Sequence, residues 1–257
     1  MKTKVAVVSD IHANADALTV ALKEIQNEAV DITIVLGDIL TYGCQPVEVI
    51  NLLKSYNKEN AVVFIKGNHD QLYFDLQSDA NHISYKPAKF VEESVCWTIK
   101  KLFNCKLEEI FDWQNNYFFG DVYFSHANPF KYGDWSYIED IKNLEKSLKI
   151  LRDKNFFSGV FGHSHRQLFM GNKKGMLHEI KEFHFSCNLD QLIINTGSIG
   201  QPRGNGLGYV VMDFDGNKLI QASFKPIRIN FDNSISLIQR ADFSSETKEK
   251  LIGYFKE

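Results

Sequence analysis

Short apolar runs that each end in Asp, His or Asn organise this chain. Lys4-Val5-Ala6-Val7-Val8 leads into Ser9-Asp10-Ile11-His12, Ile32-Thr33-Ile34-Val35-Leu36 into Gly37-Asp38, and Ala61-Val62-Val63-Phe64-Ile65 into Gly67-Asn68-His69-Asp70. Val122-Tyr123-Phe124 then meets Ser125-His126-Ala127-Asn128, and Gly159-Val160-Phe161 meets Gly162-His163-Ser164-His165. Unbroken apolar runs of this length read as strands buried on both faces. In open α/β sheets chemistry gathers at the carboxyl ends of the strands, so one shared cluster of ligands explains the polar residues there.

Helical spacing fills the gaps. Leu18, Leu22, Ile25 and Ala29 recur at that spacing between Asn14 and Ala29, and Pro46 opens a short helix to Tyr56. Repeated strand-then-helix units predict a mostly parallel sheet. The stretch from Gln71 to Lys86, with Asp75, Asp79 and His82, has no clear period and reads as a loop. Pro87 starts an amphipathic helix to about Asn104, and a second short helix is expected near Leu107 to Trp113. Tyr117 to Ser125 reads as two strands turning at Gly120-Asp121, and Ile138 to Leu151 as an amphipathic helix. From Leu168 onward, short alternating strands broken by Gly171, Gly175 and Asp215-Gly216 suggest an antiparallel second sheet. Ser244 to Phe255 reads as a terminal helix with Ser245 as its N-cap. A single domain over 1–257 is expected, with a helical, cap-like insertion around 71–113 where substrate choice would reside.

Composition narrows the classes. At 257 residues, 44% hydrophobic and 24% charged, the chain suits one globular core. A net charge of -3 gives no general attraction for a polyanion, which argues against a dedicated nucleic-acid binder. No apolar run reaches the roughly 20 residues of a membrane helix, and no signal peptide precedes the first strand. A cytoplasmic protein with no membrane partner is therefore expected. Cys44, Cys96, Cys105 and Cys187 are scattered and read as free thiols, with Cys44 near enough to Asp38 to face the site.

The ordered set Ser9-Asp10-Ile11-His12, Gly37-Asp38, Gly67-Asn68-His69-Asp70, Ser125-His126 and Gly162-His163-Ser164-His165 resembles the calcineurin-like metallophosphoesterase superfamily over roughly residues 4 to 215. The resemblance implies an α/β fold, a four-layer αββα sandwich of two mixed β-sheets flanked by helices. It implies one metal held by Asp10, His12 and His165, a second by Asn68, His126 and His163, and Asp38 bridging both. A hydroxide shared between the two metals would attack the phosphoester. The mixed imidazole, carboxylate and amide donors suit two divalent transition-metal ions, manganese, iron, zinc or nickel, with manganese the expected choice in assay.

His69 is placed to reach the substrate's leaving oxygen as a general acid, or is structural. Asp70 either orients His69 or pairs with backbone amides. Asp38 is followed by Ile39-Leu40-Thr41-Tyr42-Gly43 rather than the Asp and Arg of the protein Ser/Thr phosphatase branch, so the pattern looks more like the small bacterial and archaeal phosphoesterases. Tyr42 would contact substrate or form an aromatic wall. The later Ile193-Ile194-Asn195-Thr196-Gly197-Ser198 segment resembles the same group and would place Gly197 and Ser198 behind the ligands. Arg203 is a candidate phosphate clamp, or a surface Arg in a turn. The glycines of Gly204-Asn205-Gly206-Leu207-Gly208 precede a strand, which makes a turn rather than a nucleotide cradle.

The leading expectation is hydrolysis of phosphomonoesters or phosphodiesters. A nucleotide phosphohydrolase acting on dinucleoside polyphosphates or cyclic nucleotides is the alternative, with Tyr73, Phe74 and Tyr85 as base-stacking candidates. A protein Ser/Thr phosphatase is disfavoured by Thr41 and Tyr42, and a non-catalytic scaffold by the presence of His69. The expected partner is a small phosphoester or nucleotide; the oligomeric state is open.

Overall fold

The computed structural model describes residues 1–78, 86–103, 105–184, 188–204 and 206–256. Asp79, His82, Tyr85, Asn104, Cys187 and Asn205 lie outside the described residues. Strands run in the order β1 (Lys2–Val8), β2 (Ile32–Val35), β3 (Val62–Ile65), β4 (Trp113–Gln114), β5 (Tyr117–Phe119), β6 (Val122–Phe124), β7 (Ser158–Phe161), β8 (Gln167–Lys173), β9 (Met176–Ile180), β10 (Phe183–His184), β11 (Gln191–Thr196), β12 (Leu207–Asp215) and β13 (Lys218–Ile227). The helices are α1 (Ala15–Asn27), α2 (Pro46–Glu59), α3 (Asn68–Ser78), α4 (Lys89–Leu102), α5 (Ile141–Asp153), α6 (Asp232–Arg240) and α7 (Ser245–Gly253).

Two mixed sheets face each other. The first has the order β10-β13-β12-β1-β2-β3-β4, and the second β5-β6-β7-β11-β8-β9. Alternation along β1 shows how the layers assemble: Val5 and Val7 point between the sheets, where Phe124, Val160 and Ile194 meet them, while Ala6 and Val8 point to the helix layer with Leu18, Leu22 and Ile25. On the far side of the second sheet, Tyr123, Phe161 and Ile193 pack against Leu144, Leu148 and Leu151 of α5. The αββα architecture expected from the resemblance is therefore what the chain adopts. β6, β7 and the second halves of β1 and β2 are covered on both faces, which is why those runs are apolar.

β1, β2, β3 and β4 are parallel, as are β6, β7 and β11. Their carboxyl ends bring the loops after β1, β2, β3, β6 and β7 to one edge of the sandwich. Side-chain caps fix several helix starts: Asn14 accepts from Ala17 N, Asp140 from Asn143 N and Ser244 from Thr247 N. The cap of α7 is thus Ser244, one residue before the Ser245 expected.

Other local expectations are corrected. The late antiparallel strands do not form a sheet of their own. β12 and β13 extend the first sheet through β1, and β8 and β9 extend the second through β11. The stretch read as a loop from Gln71 begins inside α3, whose residues Leu72, Tyr73, Phe74 and Asp75 are all buried, so no polar stripe marks it as helical. The helix expected at Leu107 to Trp113 is a single 3-10 turn, Leu107–Glu109, because Trp113 is drawn into β4 beside Phe64 and donates its indole N–H to Leu107 O.

Candidate metal centre

Asp10 and His12 follow β1, Asp38 follows β2, Asn68 opens α3 after β3, His126 follows β6, and His163 and His165 follow β7. All seven are buried. The chain turns sharply to aim them: Asp10, His12, Asp38, His163 and His165 have φ of 55°, 48°, 53°, 65° and 60°. Left-handed backbone at such residues costs roughly 1–3 kcal/mol each, which the surrounding fold must offset.

Two groups result. The donor atoms of Asp10, His12 and His165 lie within 4.8 Å of one another, and so do those of Asp38, His126 and His163. In the second group, Asn68 Oδ1 is 3.0 Å and Asp38 Oδ2 3.3 Å from His126 Nε2.

Backbone carbonyls set the ring tautomers. His12 Nδ1 donates to Leu40 O at 3.1 Å, His126 Nδ1 to Leu36 O at 2.7 Å and His165 Nδ1 to Gln201 O at 2.9 Å. A carbonyl only accepts, so each neutral ring presents an Nε2 lone pair to the cluster. His163 is reversed, donating from Nε2 to Trp135 O at 2.9 Å and leaving Nδ1 as its lone-pair atom.

The consequence is a set of acceptors facing acceptors. His12 Nε2 and His165 Nε2 are 3.0 Å apart, and Asp10 Oδ1 lies 3.2 Å from the latter while itself buried without a hydrogen-bond partner. The other Asp10 oxygen, Oδ2, already accepts from Ser9 Oγ at 2.5 Å and His163 N at 2.9 Å. Lone pairs converging in a dry pocket repel one another unless a cation lies among them. The donor set therefore fits a transition metal.

The electrostatics follow the same geometry. Burial alone would raise Asp10, but His165 and His12 hold it well below the usual carboxylate range. Burial pushes His163 and His165 down to about 4, which keeps both rings neutral. For His126 burial acts downward, yet Asp38 outweighs it and raises the ring to about 9. At neutral pH a metal must displace that proton.

The remaining residues singled out in the sequence divide. His69 is beside the second group, its Nε2 3.2 Å from the Tyr42 hydroxyl and 3.9 Å from Asp38 Oδ2, with Nδ1 buried and unpartnered. Burial chiefly pushes it down to about 3. Asp70 makes no hydrogen bond to the His69 ring: its carboxylate accepts from Asp38 N at 2.6 Å, Gly67 N at 2.8 Å and Ile39 N at 3.1 Å. Tyr42 packs its ring 4.5 Å from that of His12. Arg203 is half-buried: its guanidinium lies 5.1 Å over the Tyr254 ring and donates to Gln201 Oε1 at 3.0 Å.

Ser198 Oγ donates to Asp10 O at 2.7 Å, placing it behind the ligands as expected, whereas Gly197 packs against Gln167. Tyr73 and Phe74 are buried in the core, so neither is free to stack a base. Cys44 packs against the same core, where burial raises its thiol to about 12. Tyr137, stacked 4.4 Å over His163, and Tyr254 went unnoticed in the sequence because neither belongs to a motif.

Buried imidazoles and carboxylates at the strand ends of an αββα sandwich define a metal-dependent hydrolase fold. The chain belongs to the calcineurin-like phosphoesterase family, whose profile matches residues 3–193. An uncharacterized protein of Methanocaldococcus jannaschii is 31% identical over 229 residues, 83% of this chain and 84% of that protein. Two solved structures share the fold: a metallophosphoesterase from Sphaerobacter thermophilus (TM-score 0.74, 21% identity, 99% of this chain and 100% of that one) and a hypothetical protein from Pyrococcus horikoshii (TM-score 0.73, 18% identity, 96% and 97%). The family is metal-dependent, and hydrolase activity follows from membership. No helix among the described residues is long and apolar enough to cross a membrane.

Proposed function

We propose that the protein hydrolyses phosphomonoesters or phosphodiesters with two divalent cations, one held by Asp10, His12 and His165, the other by Asn68, His126 and His163, and Asp38 shared. Manganese, iron, zinc and nickel suit these donors. Bound there, the cations would act as Lewis acids, neutralising phosphoryl oxygens and acidifying a water for attack. The observation that carries the reading is the facing pair of Nε2 lone pairs on His12 and His165 around the partnerless Asp10 Oδ1.

The chain's own groups supply the rest. Carbonyls of Leu40, Leu36, Gln201 and Trp135 hold the rings so that no reorientation is needed when charge develops. His69, whose ring is kept neutral by burial, can aim an Nε2–H at the departing oxygen from the Asp38 side of the cluster. Arg203 binds the non-bridging oxygens through its guanidinium fork. Tyr42 stands against His69 where the sequence lacks an Asp for that purpose. The test is hydrolysis of p-nitrophenyl phosphate and bis(p-nitrophenyl) phosphate by manganese-loaded protein of measured metal content. Full occupancy with neither ester cleaved would sink the reading.

A further inference from the structure

Near the cluster, the first turn of α4 and the length of α7 line a groove of about 590 Å³ that includes Lys89, Phe90, Glu246, Glu249, Lys250 and Tyr254. Its inner wall is aromatic and continuous with the metal centre. Phe90 stacks on Tyr42 at 6.0 Å and 17°, Tyr254 lies 6.2 Å from the same ring, and Tyr42 in turn packs on His12. Arg203 stands against Tyr254 with its Nε buried and without a hydrogen-bond partner. The two walls are tied together: the Glu93 carboxylate on α4 accepts from Ser244 N, Ser244 Oγ and Thr247 Oγ1 at the start of α7.

A groove two rings away from a ligand histidine, with a guanidinium whose Nε is still unpartnered beside its aromatic wall, is placed for the half of the substrate that departs. We propose that Tyr254 and Phe90 form the leaving-group subsite, and that it takes a planar heteroaromatic group of the nucleobase type, joined by a short spacer to the phosphate at Arg203 and the metals. The inference rests on the phosphoester-hydrolase reading for that phosphate.

Three features select this chemistry. Aromatic faces bind the π-face of a base without demanding one sequence of donors and acceptors. The rim carries both carboxylates, Glu246 and Glu249, and ammonium groups, Lys89 and Lys250, so it can accept from and donate to a heteroaromatic edge. A hydrocarbon leaving group would leave those groups unused. The volume is that of a small-molecule pocket. The base-stacking role that the sequence suggested for Tyr73 and Phe74 thus passes to rings from the two helices that flank the mouth.

The test is equilibrium binding of adenosine against ribose, measured by saturation-transfer NMR on the full chain, with turnover of adenosine 5′-monophosphate and ribose 5-phosphate as a second arm. Adenosine should bind saturably and ribose should not. Tyr254→Ala and Phe90→Leu should each weaken adenosine by roughly 5- to 100-fold, the range for loss of one base–aromatic stack, while Tyr254→Phe retains binding. In the turnover arm the preference for the nucleotide should fall in the same order. Absence of saturable adenosine binding, or binding indifferent to both truncations, overturns the subsite. If adenosine binds as described but the metal-loaded protein cleaves no phosphoester, the subsite stands and the hydrolase reading falls. If phosphoesters are cleaved and adenosine is ignored, the reverse holds.

Discussion

The Asp70 carboxylate accepts the backbone N–H of Asp38 at 2.6 Å, so the residue that follows His69 holds the turn that aims Asp38. It also takes Gly67 N and Ile39 N, fastening the ends of β2 and β3 to each other. Burial and the nearby Asp38 push its carboxyl up to about 7, against the pull of those amides. Leaving buried donors unpaired costs roughly 1–3 kcal/mol apiece, so Asp70→Ala should lose about 3 kcal/mol or more in urea unfolding. Asp70→Asn, which keeps one acceptor oxygen, should lose less. Equal stability in all three proteins would show that the latch is idle.

Removing His69 separates chemistry from metal binding. His69→Asn should retain the metal content of the parent by elemental analysis and drop kcat by roughly 10²–10⁴-fold, the usual contribution of a positioned general acid. A variant with parental kcat would leave only a packing role for the ring.

Chelation and ligand substitution address the cations. Dialysis against a strong chelator should abolish turnover, and manganese should restore it. Two metal equivalents per chain are expected in the parent. Asp38→Asn should reduce that number and slow the remaining turnover, since a shared carboxylate serves both positions.

Close approach makes Gly162 irreplaceable. A Cβ there would fall 1.9 Å from Ser9 Oγ and 2.7 Å from Asp10 Oδ2, between β7 and the loop after β1. Gly162→Ala should therefore displace the Asp10 carboxylate, weaken metal binding and cost about 1–3 kcal/mol of stability, as overpacked sites do. Thermal melts with and without manganese would report both effects.

Acid sensitivity is expected at Glu28. Its hydrogen bond to Lys225 at 2.7 Å lowers its pKa in the folded state, so the stabilisation is present above the ordinary Glu range and fades as pH falls through the lowered value. The pair is partly exposed, and such pairs are worth about 0.2–1 kcal/mol. Glu28→Gln should flatten the stability profile between neutral and acid pH by no more than that. A steeper profile in the variant would refute the sign.

Much of the architecture was readable because the carboxyl halves of β1, β2 and β7 are buried on both faces and therefore mostly apolar. The ligand-bearing turns were readable for the opposite reason: polar residues in so dry a position need an explanation. What escaped was set by contacts distant in sequence. Nothing near β12 indicates that it pairs with β1, yet Val7 and Val210 are opposite each other. α3 escaped because helical periodicity needs a solvated side, and Leu72, Tyr73 and Phe74 have none. The position of Tyr254 beside Tyr42 depends on α7 docking on α4 through Glu93, a contact between residues far apart in sequence. The choice between two roles for Asp70 likewise required the positions of three amides.

The carbonyls that hold the four imidazoles belong to Leu36, Leu40, Trp135 and Gln201, and every residue type carries such an oxygen. Side-chain exchange at those positions cannot delete the acceptor; only a shift of the main chain can. Saturation mutagenesis would accordingly find the ring tautomers insensitive to identity there and sensitive to insertions or prolines in the adjoining turns, so the wiring of this centre is inherited through loop length and path more than through letters of sequence.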